Sequence, residues 1–336
     1  MDFLMLTLIF FLSPFLFQTL ILKFYIKIAH KKGITAPDAH KPGNPLVADR
    51  GGITFLTTIV IFYPLILLFF SMHGKVPVVN EILATVISFI IGFIIGFLDD
   101  LKDLGLKKVI LSPIAAIPFL LLGAYYPRPV IPFIGPVRLT IIYPLLLLAA
   151  FAIVPNGSNM VDVHNGTLAT SVFAVLIPLA IWSLILGDII AFSYILIGLA
   201  LTLGFFIHNK YPAKVFAGNV GSYSLGTLLI SLIVLSRLEF IAIIAWLPTV
   251  LTGFYIISSI GGLMTKEKIA KKKGKTVIVK DGILYPSLEE NAPISLTRLI
   301  LLEKGPMDEK NIIREYYKIY ALSATLAIIS GFFTYL

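Results

Sequence analysis

The chain contains no cysteine, and only 13% of its 336 residues are charged. The absence of cysteine excludes disulfides, thiolate metal sites and cysteine nucleophiles. A soluble domain would carry about 25% charged residues, so the scarcity of charge argues against a soluble enzyme. The sequence also has no internal repeat of fixed period and no low-complexity tract beyond one lysine run. These absences leave a membrane protein as the broad class.

Apolar residues make up 58% of the chain and are grouped in ten blocks of 17 or more. Each block is long enough to cross a hydrocarbon core of ~30 Å as a helix. The alternation typical of a membrane β-barrel is absent, and the first block lacks the features of a signal peptide. We therefore predict an all-α polytopic membrane protein of about ten transmembrane helices. The predicted spans are residues 3–22, 53–72, 79–98, 108–126, 139–155, 168–187, 188–207, 220–236, 239–262 and 316–335.

The basic residues are distributed unevenly between the loops. Of the 27 lysines and arginines, 23 lie in or beside the odd-numbered loops and four in the even-numbered ones. By the positive-inside rule, the odd loops are cytoplasmic and both termini lie outside. The net charge of +9 is therefore a signal of topology in the plasma membrane, and it does not indicate a nucleic-acid partner.

Four short polar runs interrupt the apolar chain, and each of them falls in an odd-numbered loop. They comprise residues 38–53, 97–103, 156–166 and 208–226. Loops that are distant in sequence but share one face of the membrane are expected to form the walls of one site. The chain is therefore interpreted as an enzyme whose active site faces the cytoplasm.

Asp99 and Asp100 end the third predicted span. Adjacent carboxylates repel each other unless they share a proton or a cation, and hard oxygen ligands beside a phosphate indicate Mg²⁺. The alternative is a solvated helix end. Because acids are unfavourable at a helix C-terminus, the position favours a functional role.

A polar stripe is predicted where Asn156, Asn159, Asp162 and Asn165 recur at three-residue spacing. On a helical turn these side chains share a face, where they can accept a cation or the donors of a nucleobase. A segment that caps the sixth span is the alternative. His164 lies within the run, and a lone histidine is more often structural than a metal ligand or a general base.

The fourth run combines two lysines, Phe216 and a glycine-rich turn at residues 218–222 that opens the eighth span. Backbone amides at a helix N-terminus favour an anion. A glycine turn at a span boundary is nevertheless common, and residues 50–52 could equally form a simple loop. Only the four runs together are informative.

The ninth loop, residues 263–315, is the only sizeable extramembrane segment within what we expect to be a single catalytic domain over residues 1–336. A hairpin is predicted at 276–285, with Asp281-Gly282 as its turn. The lysines of residues 266–275 fit a patch held by anionic headgroups. The alternative is a lid over a phosphorylated substrate, which Arg298 and Lys304 would serve better.

Together, the four runs resemble the polyprenyl-phosphate N-acetylhexosamine-1-phosphate transferases, of the glycosyltransferase 4 type. The matching motifs occur in family order, as HKP…P…GGI, FLDD, NxxNxxDxxNG, and NxYPAKVFxG followed by GS…LG. These membrane enzymes move a sugar-1-phosphate from a UDP-sugar to a polyprenyl phosphate and release UMP. The resemblance therefore implies a UDP-sugar and a polyprenyl phosphate as partners, in contact with membrane lipid. It also implies Mg²⁺ as the cofactor, with Mn²⁺ as an alternative. The oligomeric state is left open, and a homodimer is one possibility.

The resemblance also implies a role for each matching residue. Phe216 resembles the ring that stacks on uracil, and Lys108 a lysine that reaches the pyrophosphate. Arg298 is the best match for an arginine-containing loop that grips the phosphates. The implied site residues are catalytic Asp99 and Asp100; metal-binding Asp100, Asn159 and Asn219; nucleotide-binding Lys41, Asp162, Asn165 and Phe216; and phosphate-binding Lys108 and Arg298.

Asn219 departs from the family pattern, which has a metal-binding aspartate in this turn. An amide oxygen still ligates a hard cation but supplies no charge. Either Asp99 and Asp100 contribute more to metal binding, or the affinity for the metal is weaker, or the chain is an inactive homologue. Because every other motif position is present, we expect an active enzyme.

The histidines help to choose a branch of the family. The phospho-MurNAc-pentapeptide transferases have a histidine cluster in the ninth loop, whereas this chain has no histidine after His208. The resemblance is therefore closest to the UDP-GlcNAc:dolichyl-phosphate GlcNAc-1-phosphate transferases, at the first step of a lipid-linked glycan pathway. The alternatives are a phospho-MurNAc-pentapeptide-type transferase and a lipid or solute transporter. Transporters usually carry ionisable groups near the midplane, and the predicted spans have no charge at their centres.

Overall fold

The computed structural model describes residues 3–72, 79–262, 264 and 274–336. Within these ranges, eight helices are long and apolar enough to cross a membrane. A ninth span results if the bent pair Glu239–Ala245 and Leu247–Ile260, which meet at 63°, is counted as one. This confirms the prediction of an all-α, multi-pass membrane protein.

The helices follow one another with short connections. Leu8–Leu12 form a π-helical segment that joins the first two helices into one span, and Gly51–Thr54 form a 3₁₀ turn before the third. The helices are α1 Phe3–Thr7, α2 Ser13–Lys32, α3 Phe55–Met72, α4 Val79–Lys102, α5 Lys107–Leu111, α6 Ile117–Leu122, α7 Ile142–Val161, α8 Thr167–Ile185, α9 Ile189–Asn209, α10 Gly218–Ser236, α11 Glu239–Ala245, α12 Leu247–Ile260, α13 Leu296–Lys304 and α14 Glu309–Tyr335.

The fourth predicted span is not one continuous α-helix. Its residues form α5, a 3₁₀ turn at Ser112–Ala116 and α6, and Pro113 and Pro118 lie in the first turns of the last two segments, where a missing amide is tolerated. The chain nevertheless traverses the bundle. Lys108 lies 2.7 Å from Asp99 near one end of α4, and Asn80 at its other end, about 28 Å away, donates to the Leu122 carbonyl at 2.9 Å.

The described strands form three small antiparallel sheets. The predicted hairpin of the ninth loop is confirmed, and its turn residues Asp281 and Gly282 have positive φ values of 49° and 78°. The pairing of a third strand with this hairpin was not predicted. The strands are β1 Thr35–Pro37 with β2 Leu46–Ala48, β3 Val130–Ile131 with β4 Gly135–Pro136, and β5 Val277–Lys280, β6 Ile283–Pro286 and β7 Met307–Asp308 in one sheet.

Helix α10 is the central helix of the bundle, and every residue from Val220 to Ser236 is buried. Glycines allow the neighbouring backbones to approach it closely. A Cβ on Gly52 would lie 2.1 Å from the Gly221 Cα, and one on Gly96 would lie 2.4 Å from the Asn219 carbonyl oxygen. The start of α3, the end of α4 and the start of α10 are therefore held together at one end of the bundle.

The ninth loop packs on the membrane helices through a separate apolar cluster. This cluster joins β6 and α13 to α14 and to one residue of α8. Most of the predicted lysine patch lies outside the described residues, so neither interpretation of it is tested. The buried members of the cluster are Ala174, Leu284, Ile300, Leu301, Ile312, Tyr316 and Tyr320.

Candidate active site

The four polar runs meet at one end of the helix bundle. Lys41 of the first run donates to Asn165 of the third at 2.6 Å. The same Asn165 oxygen accepts the Ala213 amide of the fourth run at 2.9 Å. Arg50 of the first run donates to the carbonyl of Asp100, in the second, at 2.8 Å. The runs therefore form a single cluster, as the predicted topology requires.

Asp99 forms a buried ion pair with Lys108. The distance from Lys108 Nζ to Asp99 Oδ2 is 2.7 Å, while Asp99 Oδ1 accepts the Leu104 amide at 2.8 Å. The ammonium also lies 5.7 Å from the centre of the Tyr223 ring. The first predicted catalytic carboxylate and the predicted phosphate-binding amine are thus direct neighbours.

Asp100 caps the central helix from outside it. Its two carboxylate oxygens accept the backbone amides of Asn219 and Val220, each at 2.9 Å. The N-cap residue of α10, Ala217, has no side chain that could do this. A carboxylate is favourable at a helix N-terminus because it meets unpaired amides and the positive end of the helix dipole.

Asn159 reaches the same turn of α10. Its Oδ1 accepts the Ser222 hydroxyl at 3.2 Å, and that hydroxyl lies 3.3 Å from the Asn219 carbonyl oxygen. The predicted metal ligands therefore converge on one helical turn. Their donor set consists only of carboxylate and amide oxygens, which is the set that Mg²⁺ or Mn²⁺ prefers. The residues fit a hard divalent cation, although position 219 contributes no charge.

Two predicted nucleotide-binding residues are in direct contact. Lys41 is hydrogen-bonded to the Asp38 carboxylate and to Asn165, and lies 3.1 Å from Glu309. Its ammonium also lies 4.8 Å from the centre of the Tyr211 ring. Asn165 donates in turn to Asp38 at 3.4 Å. The side chains at this end of the site therefore hold each other in place.

Phe216 and Asp162 lie in the loops that meet here. The Phe216 backbone is fixed on both sides, since its amide donates to Ala48 and its carbonyl accepts from Gly51, each at 2.8 Å. Phe216 as a whole is half-buried, so part of the residue stays accessible. Asp162 follows the last residue of α7 and is also half-buried.

Arg298 has a different environment from the one predicted. Its side chain is buried, and its guanidinium donates to the carbonyls of Ser287 at 3.0 Å, Glu289 at 2.9 Å and Pro293 at 3.4 Å, and to that of Ala292. These bonds occupy the donors that would grip a phosphate. The described contacts give Arg298 a role in folding the ninth loop, and its phosphate role stays a prediction.

The sequence analysis gave no role to several residues of the cluster, among them Asn209 and Glu309. Asn209 accepts the Gly166 amide at 3.0 Å and donates to the Val215 carbonyl at 2.8 Å, which ties the third run to the fourth. Asn209 is the first residue of the NxYPAKVF motif, so the sequence could have identified it as a site residue. Glu309 accepts the Asn165 amide at 3.2 Å. It belongs to no motif, and only the fold of the ninth loop brings it here.

His164 is fully enclosed beside this cluster. Its Nε2 lies 2.9 Å from the Thr297 hydroxyl, which in turn lies 3.0 Å from that of Tyr316. Burial lowers the pKa of the His164 imidazole, and contact with Glu309 only partly opposes this. The imidazole is therefore neutral at pH 7.

The chain is similar in sequence to several known proteins. The profile of glycosyl transferase family 4 matches residues 82–237. A Sulfolobus acidocaldarius protein, provisionally named a UDP-N-acetylglucosamine–dolichyl-phosphate N-acetylglucosaminephosphotransferase, is 28% identical over 312 residues, which cover 91% of this chain and 90% of its own. The phospho-N-acetylmuramoyl-pentapeptide-transferase of Streptococcus uberis is 32% identical over 294 residues, covering 80% and 83%. A Methanocaldococcus jannaschii protein, provisionally named a glycosyltransferase, is 29% identical over 302 residues, covering 89% and 88%.

Proposed function

The chain belongs to glycosyl transferase family 4, and on this basis we propose that it transfers GlcNAc-1-phosphate from UDP-GlcNAc to a dolichyl-type polyprenyl phosphate. The products would be the polyprenyl-diphosphate sugar and UMP. The observation that carries the proposal is the convergence of four distant polar runs around Asp99, Asp100 and Lys108. The names of the archaeal relatives support the choice of sugar and lipid.

We place the site on the cytoplasmic side of the plasma membrane. The support is that 23 of the 27 basic residues lie in or beside the odd-numbered loops of the sequence, and positive residues mark the inner face. A polyprenyl tail would stay in the bilayer beside the spans while its phosphate meets the water-soluble UDP-sugar at the surface. Both termini would then lie outside.

The reaction is a displacement at phosphorus. An oxygen of the lipid phosphate attacks the β-phosphorus of the UDP-sugar, and a new P–O bond forms as the bond to the bridging oxygen breaks. UMP leaves with the electron pair of that bond. A phosphomonoester has a second pKa of about 6 and is mostly dianionic at pH 7, so a strong general base is unnecessary. A two-step route through an aspartyl-phosphate is chemically allowed but is not required.

The chain's own residues would supply position and charge. Lys108 would neutralise the pyrophosphate, and Asp99 would hold that lysine in place or accept a residual proton. Phe216 would stack on the uracil, with Lys41, Asp162 and Asn165 at the nucleotide end.

The metal of this site is also part of the proposal. Asp100, Asn159 and Asn219 would hold Mg²⁺ or Mn²⁺ close to Asp99. When bound, such an ion neutralises the pyrophosphate and stabilises the leaving UMP.

The direct test uses the purified full-length protein in detergent. It would be incubated with several UDP-sugars and with dolichyl or undecaprenyl phosphate, with and without Mg²⁺ or Mn²⁺. We expect UMP to be released from UDP-GlcNAc only when lipid phosphate and metal are present. If no combination releases UMP, the chain is not an active transferase. Transport of an intact substrate into proteoliposomes would then favour the transporter.

A phospho-MurNAc-pentapeptide-type transferase is the second candidate. The identity of 32% with the Streptococcus uberis enzyme favours it. The absence of histidine after His208 counts against it, since the resemblance implies a histidine cluster in the ninth loop. UDP-MurNAc-pentapeptide in the same assay decides between the two candidates.

A further inference from the structure

A second group of metal-ligating side chains lies beside the nucleotide end of the site and has no part in the proposed reaction. It consists of His40 from the loop between β1 and β2, His164 from the third polar run and Glu309 from the first turn of α14. One ligand atom from each lies within 4.8 Å of the others. We propose that these three residues bind a divalent transition-metal ion of the Zn²⁺ type.

The spacing of the ligand atoms fits such an ion. The Oε1 atom of Glu309 lies 3.4 Å from Nδ1 of His40 and 3.5 Å from Nδ1 of His164. Histidine nitrogens and carboxylate oxygens bind Zn²⁺ at about 2.0–2.2 Å, so tetrahedral ligands lie about 3.4 Å apart. The remaining separation, between the two histidine nitrogens, is bounded only by the 4.8 Å within which all three atoms lie. One ion can therefore contact all three atoms once the two imidazoles close to about 3.4 Å, and His40 lies on a partly exposed loop that can move.

The inner nitrogen of His164 supplies an independent indication of a ligand. Among the described residues, Nδ1 of His164 is a buried polar atom without a hydrogen-bond partner. The other nitrogen lies 2.9 Å from the Thr297 hydroxyl, to which it can donate while Thr297 donates onward to Tyr316. In that tautomer, the lone pair of Nδ1 is directed at Glu309 Oε1, 3.5 Å away. Metal-binding histidines are oriented in the same way by a partner on the opposite nitrogen.

The two oxygens of Glu309 have separate partners. Oε1 faces the two histidines and accepts the Asn165 amide at 3.2 Å, whereas Oε2 lies 3.1 Å from Lys41. Glu309 can therefore bind a metal through one oxygen while Lys41 neutralises the other. A ligand set of two imidazoles and one carboxylate favours zinc, copper, nickel or iron over Mg²⁺. Three protein ligands leave a fourth position for water.

The bound ion would fasten three parts of the chain at one point. It would hold the loop that carries Lys41 against Asn165 and against the start of α14. The metal would thus act as a positioning element for the nucleotide end. Its binding does not depend on the proposed reaction, so the metal can be tested without any assay of transfer.

The test measures the metal itself. The full-length protein would be purified without a histidine tag, and its metal content would be determined by elemental mass spectrometry. We expect about one zinc-type ion per chain. After treatment with a chelator, added Co²⁺ should give the intense visible absorption of a tetrahedral site. His40→Ala and Glu309→Gln should each weaken Co²⁺ binding at least about tenfold.

The control is His30→Ala, which removes an exposed histidine near the end of α2, outside the cluster. It should retain the metal content and the Co²⁺ spectrum of the wild type. His40 is partly exposed, so His40→Ala is expected to fold, and it decides the question if Glu309→Gln does not. Absence of bound metal in the wild type, or equal Co²⁺ affinity in His40→Ala, overturns the proposal. The three side chains would then be in contact without a bound metal.

Discussion

Asp100 accepts a 2.9 Å hydrogen bond from the backbone amide of Asn219, which lies 119 positions further along the chain. This bond joins the end of α4 to the start of α10. The carboxylate offsets the positive end of a helix and lies next to the amide residue that stands where the family has an aspartate. Among the residues predicted to bind the metal or to act in catalysis, only Asp99 and Asp100 are therefore negatively charged.

We predict that Asp99→Asn abolishes UMP release. The substitution removes the carboxylate partner of Lys108 and leaves the ammonium unoriented, which should lower kcat by about 10²–10³-fold. Steady-state release of UMP by the purified protein measures this. The matched control is Asp103→Asn, a nearby exposed carboxylate, which should keep wild-type turnover. Near-normal turnover of Asp99→Asn would reject the assignment.

Asp100→Asn should lose both activity and stability. An amide cannot accept two backbone amides with equal geometry, so the cap of α10 weakens by about 1 kcal/mol. The thermal unfolding midpoint in detergent should fall, and UMP release should cease. Asp99→Asn should not weaken this cap. An unchanged unfolding midpoint for Asp100→Asn would contradict the capping role.

Asn219→Asp should lower the Mg²⁺ concentration that gives half-maximal activity. The new carboxylate adds charge to an oxygen-only ligand set, which raises affinity for a hard cation. A Mg²⁺ titration of UMP release measures the change, and Asn219→Ala should shift it in the opposite direction. Identical titration curves for the wild type and both variants would place the metal elsewhere.

Phe216→Ala should weaken nucleotide binding. Stacking of a base on an aromatic ring contributes about 1–3 kcal/mol, so the Kd for UDP should rise roughly 5- to 150-fold. Titration calorimetry with UDP measures it. Phe216→Tyr keeps the ring and should restore binding. Phe133→Ala, at an exposed position outside the four polar runs, should leave the Kd unchanged.

Arg298→Lys should destabilise the fold of the ninth loop, and its effect on the KM for either substrate should be secondary. Lysine keeps the charge but cannot reach four carbonyls at once. We expect faster limited proteolysis within residues 263–315 and a lower unfolding midpoint. Lys304→Ala removes only an exposed ion pair with Glu315 and should leave the unfolding midpoint almost unchanged, because solvent screens such a pair. A raised KM for either substrate with unaltered proteolysis would instead support the phosphate role.

Much of this architecture follows from local sequence properties. Hydrophobic block length alone predicts the spans, and Asp281-Gly282 predicts the hairpin turn. The odd–even alternation of loops predicts that Lys41, Asn165 and Asp100 lie at the same end of the bundle. Two contacts confirm this: Lys41 donates to Asn165, and Arg50, from the same run as Lys41, donates to the Asp100 carbonyl. A helix that spans the membrane fixes which loops can meet.

The remainder depends on contacts that no local pattern encodes. A 3₁₀ turn at residues 112–116 interrupts the fourth span, although the hydropathy of that block is that of an ordinary helix. The four carbonyls that accept hydrogen bonds from Arg298 come together only when residues 287–293 fold back on α13. Glu309 reaches the site only because the ninth loop packs against α8 and α14. Such side chains are found by folding the chain and not by inspecting its motifs.

Lys41 serves as the common partner of Asp38, Asn165 and Glu309, the last of which is 268 positions away in sequence. Groups that share a partner do not contribute independently to stability. Loss of the ammonium leaves two buried acids facing each other, so it should be more harmful than loss of either acid. Substitutions among these four residues should therefore be tolerated only in compensating pairs. The effect of each will depend on which residues occupy the other three positions.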